Sequence, residues 1–125
     1  MENKWKNKNF FQSLKNAING IKYVFVNGNN FKIQLIFAFV AFMIGIILKI
    51  SNVEFAILTL TIFLVLICEC VNTAIEKIVD MYTLEYNEIA KIIKDVSAGS
   101  VTVSAISSII IGCFIFLEKI IKILW

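Results

Sequence analysis

Glu69 stands where a membrane chain holds a charge least easily. It closes the apolar run 55–68, and Cys70 and Val71 follow it, so it is not a simple end-of-helix charge. A carboxylate at that depth costs about 3 kcal/mol on insertion scales and is rarely kept without a use. Asn72, Thr73, Glu76 and Asp80 follow at helical spacing. At 3.6 residues per turn they share one stripe with Glu69. Glu85 and Glu88 come next, then the pair Lys94-Asp95. Hard carboxylate oxygens suit a magnesium ion, and a lysine supplies a point charge for phosphate. Glu69, nearest the lipid, is placed to take a proton from a hydroxyl arriving in the bilayer. The chemistry this set suggests is phosphoryl transfer to a lipid alcohol.

Composition narrows the field. The chain has 125 residues, enough for one domain, and is 59% hydrophobic with a mean hydropathy of +0.85. It has no histidine and no proline, and all 12 basic residues are lysine. The missing histidine removes the usual zinc and di-iron ligand sets and leaves acid–base work to carboxylates or lysine. Cys68 and Cys70 are two apart on a helix and point in different directions. With Cys113 they read as small packing residues. The net charge of +3 reads as affinity for a membrane surface rather than for nucleic acid.

The elements that must position these groups are helical. Phe11, Leu14, Ile18, Ile21 and Phe25 alternate with Lys15, Asn16, Asn19 and Lys22, which predicts an amphipathic surface helix over about 10–27. Asn27-Gly28-Asn29-Asn30 ends it, with Gly28 expected in the left-handed cap conformation. Apolar runs predict spans over about 31–50, 55–80 and 96–118, with Ser51-Asn52 as the turn between the first two. The first run reads as a span rather than a cleavable leader. Small and hydroxyl residues from Ala98 to Ser108 predict close helix packing. Tyr82, Tyr86, Trp5 and Trp125 read as interfacial aromatics. Lysines cluster before the first span and between the second and third, which puts the N-terminus and the second loop in the cytoplasm; Lys119 and Lys122 run against this. The expected fold is an all-α membrane protein with one surface helix and three spans.

Two linked motifs carry a resemblance. Glu69-Cys-Val-Asn72-Thr73-Ala74-Ile75-Glu76-Lys-Ile-Val-Asp80 resembles the ExxNTAIExxxD signature of the bacterial diacylglycerol kinase family. Lys94-Asp95 followed by Ser97-Ala98-Gly99-Ser100-Val101 resembles that family's KDxxAGAV segment, in a form closer to its undecaprenol kinase branch. The likeness covers nearly the whole chain. It implies a homotrimeric membrane kinase using ATP and Mg2+. It implies Glu69 as the base, Asn72 as a positioning group and Glu76 as the metal ligand. It also implies Asp80, Glu85, Tyr86, Asn87, Lys94 and Asp95 around the nucleotide, with Ala98 beside the lipid. One departure stands out. Relatives carry an acid where this chain has Gly28, and histidine or glutamate is common where it has Gln34. Restoring an acid by Gly28→Glu is therefore expected to lower the magnesium requirement.

Simpler readings exist for single residues. Glu76 and Asp80 alone could be a solvated helix face, and Lys94 alone an interfacial anchor. As a whole, a small transporter would use an intramembrane glutamate but gives no reason for Lys94-Asp95. A degenerate, non-catalytic relative would keep the motifs without the acid at position 28. Nucleotide binding separates the first of these from a kinase, and turnover separates the second.

Overall fold

The computed structural model describes Lys6 and residues 9–125. Trp5 lies outside the described residues. The chain is four helices: α1 (Phe10–Asn27), α2 (Phe31–Ile47), α3 (Asn52–Tyr82) and α4 (Glu88–Leu124). No strand occurs among the described residues.

Helices α3 and α4 are long and apolar enough to cross a membrane. At 1.5 Å per residue, the 31 residues of α3 extend about 46 Å and the 37 of α4 about 55 Å. Both exceed a hydrocarbon core of roughly 30 Å, so each must carry a length of helix into water. Helix α2 has 17 residues and is short of a crossing alone; with α1 it forms a pair bent by 99° that can supply a third crossing. A near-perpendicular bend is what a surface helix leading into an upright one requires.

The sharp corners have sequence causes. Asn9 caps α1, accepting from the Gln12 N–H at 2.9 Å. Ser51 and Glu54 form a reciprocal capping box at the start of α3: Ser51 Oγ accepts from the Glu54 N–H and Glu54 Oε2 from the Ser51 N–H, at 3.2 and 2.7 Å. Between them, α2 closes in a Schellman turn. The Ile50 N–H reaches the Gly45 carbonyl and the Lys49 N–H the Ile46 carbonyl, both at 3.1 Å. Lys49 takes the left-handed conformation, φ 51°. Ile50 folds back so tightly that a Cβ on Gly45 would meet its Cδ1 at 3.0 Å and Phe55 Cε1 at 3.2 Å.

Helices α3 and α4 form the main packing pair and run antiparallel. Lys94 Nζ meets Asp80 Oδ1 at 2.6 Å at one end, and Lys119 Nζ meets Glu54 Oε1 at 2.6 Å at the other. Nearly equal lengths of the two helices lie between these pairs, so a single register holds throughout. It sets Leu58 level with Ile115, Glu69 with Ser104, and Glu76 with Ser97. The Glu54 partnership also accounts for Lys119, which ran against the charge asymmetry. The apolar core sits at the Glu54 end, where Ile50, Leu58 and Ile115 are buried among Phe42, Phe55, Ile62 and Ile111. The polar stripe occupies the opposite end.

A left-handed lysine costs about 1 kcal/mol that glycine does not. Lys49→Gly should therefore raise unfolding stability in detergent micelles by about that much, and Lys49→Ala should not. Equal midpoints for the two variants would show that the conformation carries no cost.

Candidate functional site

Glu69 is 0% exposed and is the one large side chain fully buried among the described residues. Its carboxylate is held from the corner between α1 and α2. Oε1 accepts from the Asn30 backbone N–H at 3.2 Å, and Oε2 accepts from Gln34 Nε2 at 3.3 Å. Asn30 is the N-cap of α2 but offers no side-chain cap bond. A carboxylate from α3 thus meets the positive end of α2, where an anion is favoured. Thr73 Oγ1 donates to the Glu69 carbonyl at 3.0 Å within α3. Beside this centre lies an apolar cavity of about 380 Å³ between α2, α3 and α4, running from Gln34 past Thr61 and Val65 to Gly112 and Phe116.

One turn further along α3, Asn72 Nδ2 donates to Glu76 Oε1 at 3.3 Å. Asn72 is buried, and its Oδ1 has no hydrogen-bond partner. Asp80 follows, bound to Lys94 and with Lys77 at 4.0 Å. A second cavity, about 240 Å³, opens at this end. Asp80, Glu85, Tyr86, Asn87, Lys94 and Asp95 all line it, together with Thr83 and Lys91. Six residues picked from motifs and connecting segments therefore share one pocket. The connection that shapes it is short: the Glu85 N–H donates to Thr83 Oγ1 at 3.1 Å, and Asn87 caps α4 by accepting from the Ala90 N–H at 3.0 Å. Asn87 thus has a structural duty of its own. Tyr86 is 80% exposed, and Asp95 pairs with Lys91 on the outer face of α4. Ala98 is exposed one turn beyond Lys94.

Gly28 departs from the expected cap. Its φ is −69° and ψ 132°, extended backbone open to any residue. What requires glycine here is space: its N–H bonds the Val24 carbonyl at 2.6 Å, and a Cβ would lie 2.5 Å from that same oxygen. An acid cannot be restored at this position without moving the turn.

The fit of a magnesium–nucleotide can be judged from these donors. Among the described residues no three acidic or cysteine side chains converge as a metal cage. Magnesium does not need one, since it takes one or two protein oxygens and completes its shell with phosphate and water. The Glu76 carboxylate and the orphaned Asn72 carbonyl oxygen are donors of that kind.

Residues 15–116 match the family described as prokaryotic diacylglycerol kinase. The chain belongs to that family. It is 37% identical over 111 residues to an undecaprenol kinase of Bacillus subtilis, covering 89% of this chain and 90% of the relative. It is 33% identical over 117 residues to a diacylglycerol kinase of Synechocystis, covering 93% and 67%. It is 27% identical over 96 residues to the diacylglycerol kinase of Escherichia coli K12, covering 77% and 79%. This family member is thus a membrane lipid kinase. Sequence reasoning missed one contact of Glu69: Gln34 appeared only as a departure, with no hint that it would hold that carboxylate.

Forcing a side chain into the Val24–Gly28 contact should strain the turn by roughly 1–3 kcal/mol. Gly28→Glu is expected to lower the thermal midpoint in micelles without lowering the magnesium requirement. A variant of unchanged stability that needs less magnesium would overturn this account of Gly28.

Proposed function

We propose that this kinase transfers the γ-phosphoryl group of ATP, with Mg2+, to the hydroxyl of undecaprenol. Glu69 accepts the hydroxyl proton as the lipid oxygen attacks phosphorus. A new O–P bond forms, the bond to the β-phosphate oxygen breaks, and ADP leaves. Magnesium, when bound, neutralises charge on the phosphate oxygens. Glu76 and Asn72 are the residues suited to hold it, and Lys94 is suited to contact phosphate. Asn72 also holds Glu76 in place. Asp80, Glu85, Tyr86, Asn87 and Asp95 frame the nucleotide, and Ala98 lies beside the lipid. Along α3, Glu69 and Asp80 are about 16 Å apart, a span that suits an extended nucleoside triphosphate lying along the polar stripe. The single domain acts as a homotrimer with sites shared between protomers, and its N-terminus and nucleotide pocket face the cytoplasm.

The observation that carries this reading is the buried Glu69 carboxylate, held by a residue that lines an apolar cavity. That residue is Gln34. A base fixed in advance by two donors loses little freedom when the hydroxyl arrives.

The choice of undecaprenol over diacylglycerol rests on donors. Diacylglycerol brings ester carbonyls close to its hydroxyl, and burying them without donors is costly. The cavity's hydroxyls are already committed. Thr61 Oγ1 donates to the Ile57 carbonyl and Ser108 Oγ to the Ala105 carbonyl, each at 2.7 Å. Gln34 directs its amide to Glu69, and its Oε1 is an acceptor. A polyprenol makes no such demand beyond its hydroxyl. The identity to the Bacillus subtilis relative supports the same choice.

The test is phosphate transfer from labelled ATP with magnesium in mixed micelles, offering undecaprenol and diacylglycerol in parallel. Transfer to undecaprenol is expected, with Glu69→Gln reducing it on the order of a hundredfold or more. Transfer to diacylglycerol instead would overturn the substrate assignment. A fully active Glu69→Gln variant would overturn the assignment of the base.

A further inference from the structure

Helix α4 returns several of its hydroxyls, among them the buried Ser104, to its own backbone. Ser100 Oγ donates to the Ser97 carbonyl, Ser104 to Val101 and Ser108 to Ala105, at 2.6–2.7 Å. This is the usual way a membrane helix satisfies a serine. Ser97 is different. It is 5% exposed, and its Oγ has no partner. An orphaned buried hydroxyl in a packed interface calls for an explanation. The helix against which α4 packs is α3, and the register fixed by the two end ion pairs sets Ser97 level with Glu76. Asn72, whose amide nitrogen holds Glu76, is also 5% exposed and carries another orphan, Oδ1; the third among the described residues, Gln34 Oε1, lies beside Glu69. Two buried, unpartnered oxygens thus lie on the two helices of one packing pair, at levels one turn apart, and the register sets Ser97 level with Glu76.

We infer that Ser97 Oγ and Asn72 Oδ1 join the Glu76 carboxylate as a divalent-cation half-site within one chain, in place of the acid missing at Gly28. The inference rests on the kinase reading above for the identity of the ion. The donors are of the right kind. Amide and hydroxyl oxygens serve magnesium in other phosphoryl-transfer enzymes, where a catalytic-loop asparagine and a P-loop serine or threonine do this work. A set of one carboxylate and two neutral oxygens leaves room for phosphate and water, as magnesium prefers. It also gives both orphans a partner with one ligand. The turn at Gly28 has no space for a side chain, so donors must come from elsewhere, and α4 is the neighbour with an uncommitted one at this level.

Manganese serves as the probe, its binding to the full-length protein followed by electron paramagnetic resonance with a non-hydrolysable ATP analogue present. Ser97→Ala should weaken binding roughly tenfold or more, the scale seen when groups around a metal are removed. Ser97→Cys supplies a readout that packing alone cannot give. A thiolate prefers soft ions, so this variant should bind cadmium more tightly and manganese more weakly. It should also gain a thiolate–cadmium absorption band above the background from Cys68, Cys70 and Cys113. Manganese binding unchanged in Ser97→Ala, or no added band in Ser97→Cys, would overturn the half-site. The added band in a protein that phosphorylates no lipid would uphold the half-site and sink the kinase reading. Lipid phosphorylation with an unchanged metal requirement in Ser97→Ala would do the reverse.

Discussion

The carboxylate of Glu69 is the constraint on which the rest of the structure turns. Burying it without donors would be unaffordable in an apolar interior. The chain therefore has to bring an N–H and an amide to it, and both come from the corner where α1 gives way to α2. That requirement fixes where the corner sits against α3. It gives the start of α2 an anion that its own Asn30 side chain does not provide. It also explains why Val24 and Phe31, which flank the corner, are buried in a helix pair otherwise largely exposed. The charge is thus both the base we propose and the pin that holds the surface helix to the bundle.

The second constraint is the antiparallel α3–α4 pair, closed by an ion pair at each end. Partly exposed ion pairs contribute little stability. Their consequence here is register. Slipping α4 by one turn would part Lys94 from Asp80 and Lys119 from Glu54 together, and would carry Ser97 away from the level of Glu76. The apolar core lies at the Glu54 end, and the polar site at the other. The tightly turned end anchors the hairpin, and the end that holds the polar stripe is left with a short connection and exposed side chains.

Much of this was legible in the residues. The periodicity of Phe11 to Phe25 gave the surface helix, apolar runs gave the long helices, and the ExxNTAIExxxD and Lys94-Asp95 motifs pointed to the family. Asp80, Lys94 and the 85–87 segment, read from separate motifs, line one pocket because adjacent helix ends bring them together. What escaped was set by contacts across long stretches of chain. Gln34 meets Glu69 from 35 residues away and Lys119 meets Glu54 from 65, and no local pattern announces either. Gly28 was expected to be left-handed because glycine usually ends helices that way. Its actual reason, the approach of the Val24 carbonyl, is invisible until the turn is built. The left-handed residue proved to be Lys49, a type for which the conformation is unfavourable.

The two halves of the site differ in how finished a single chain makes them. Glu69 is buried and doubly held, beside a cavity lined by three helices of the same chain. The pocket we propose for the nucleotide is lined by α3, α4 and their connection, and Glu85, Tyr86 and Asn87 are exposed. Lys94, the cation suited to phosphate, is occupied by Asp80. This asymmetry suits the chemistry. In the proposed reaction the base works on a hydroxyl that arrives from hydrocarbon, where an unheld carboxylate would be costly and would wander, so its setting has to be built in advance. A triphosphate arrives from water with charges of its own. It can compete with Asp80 for Lys94 and bring its own counter-ion to Glu76. The side that meets lipid must be rigid before binding, whereas the side that meets nucleotide can be completed by the nucleotide itself.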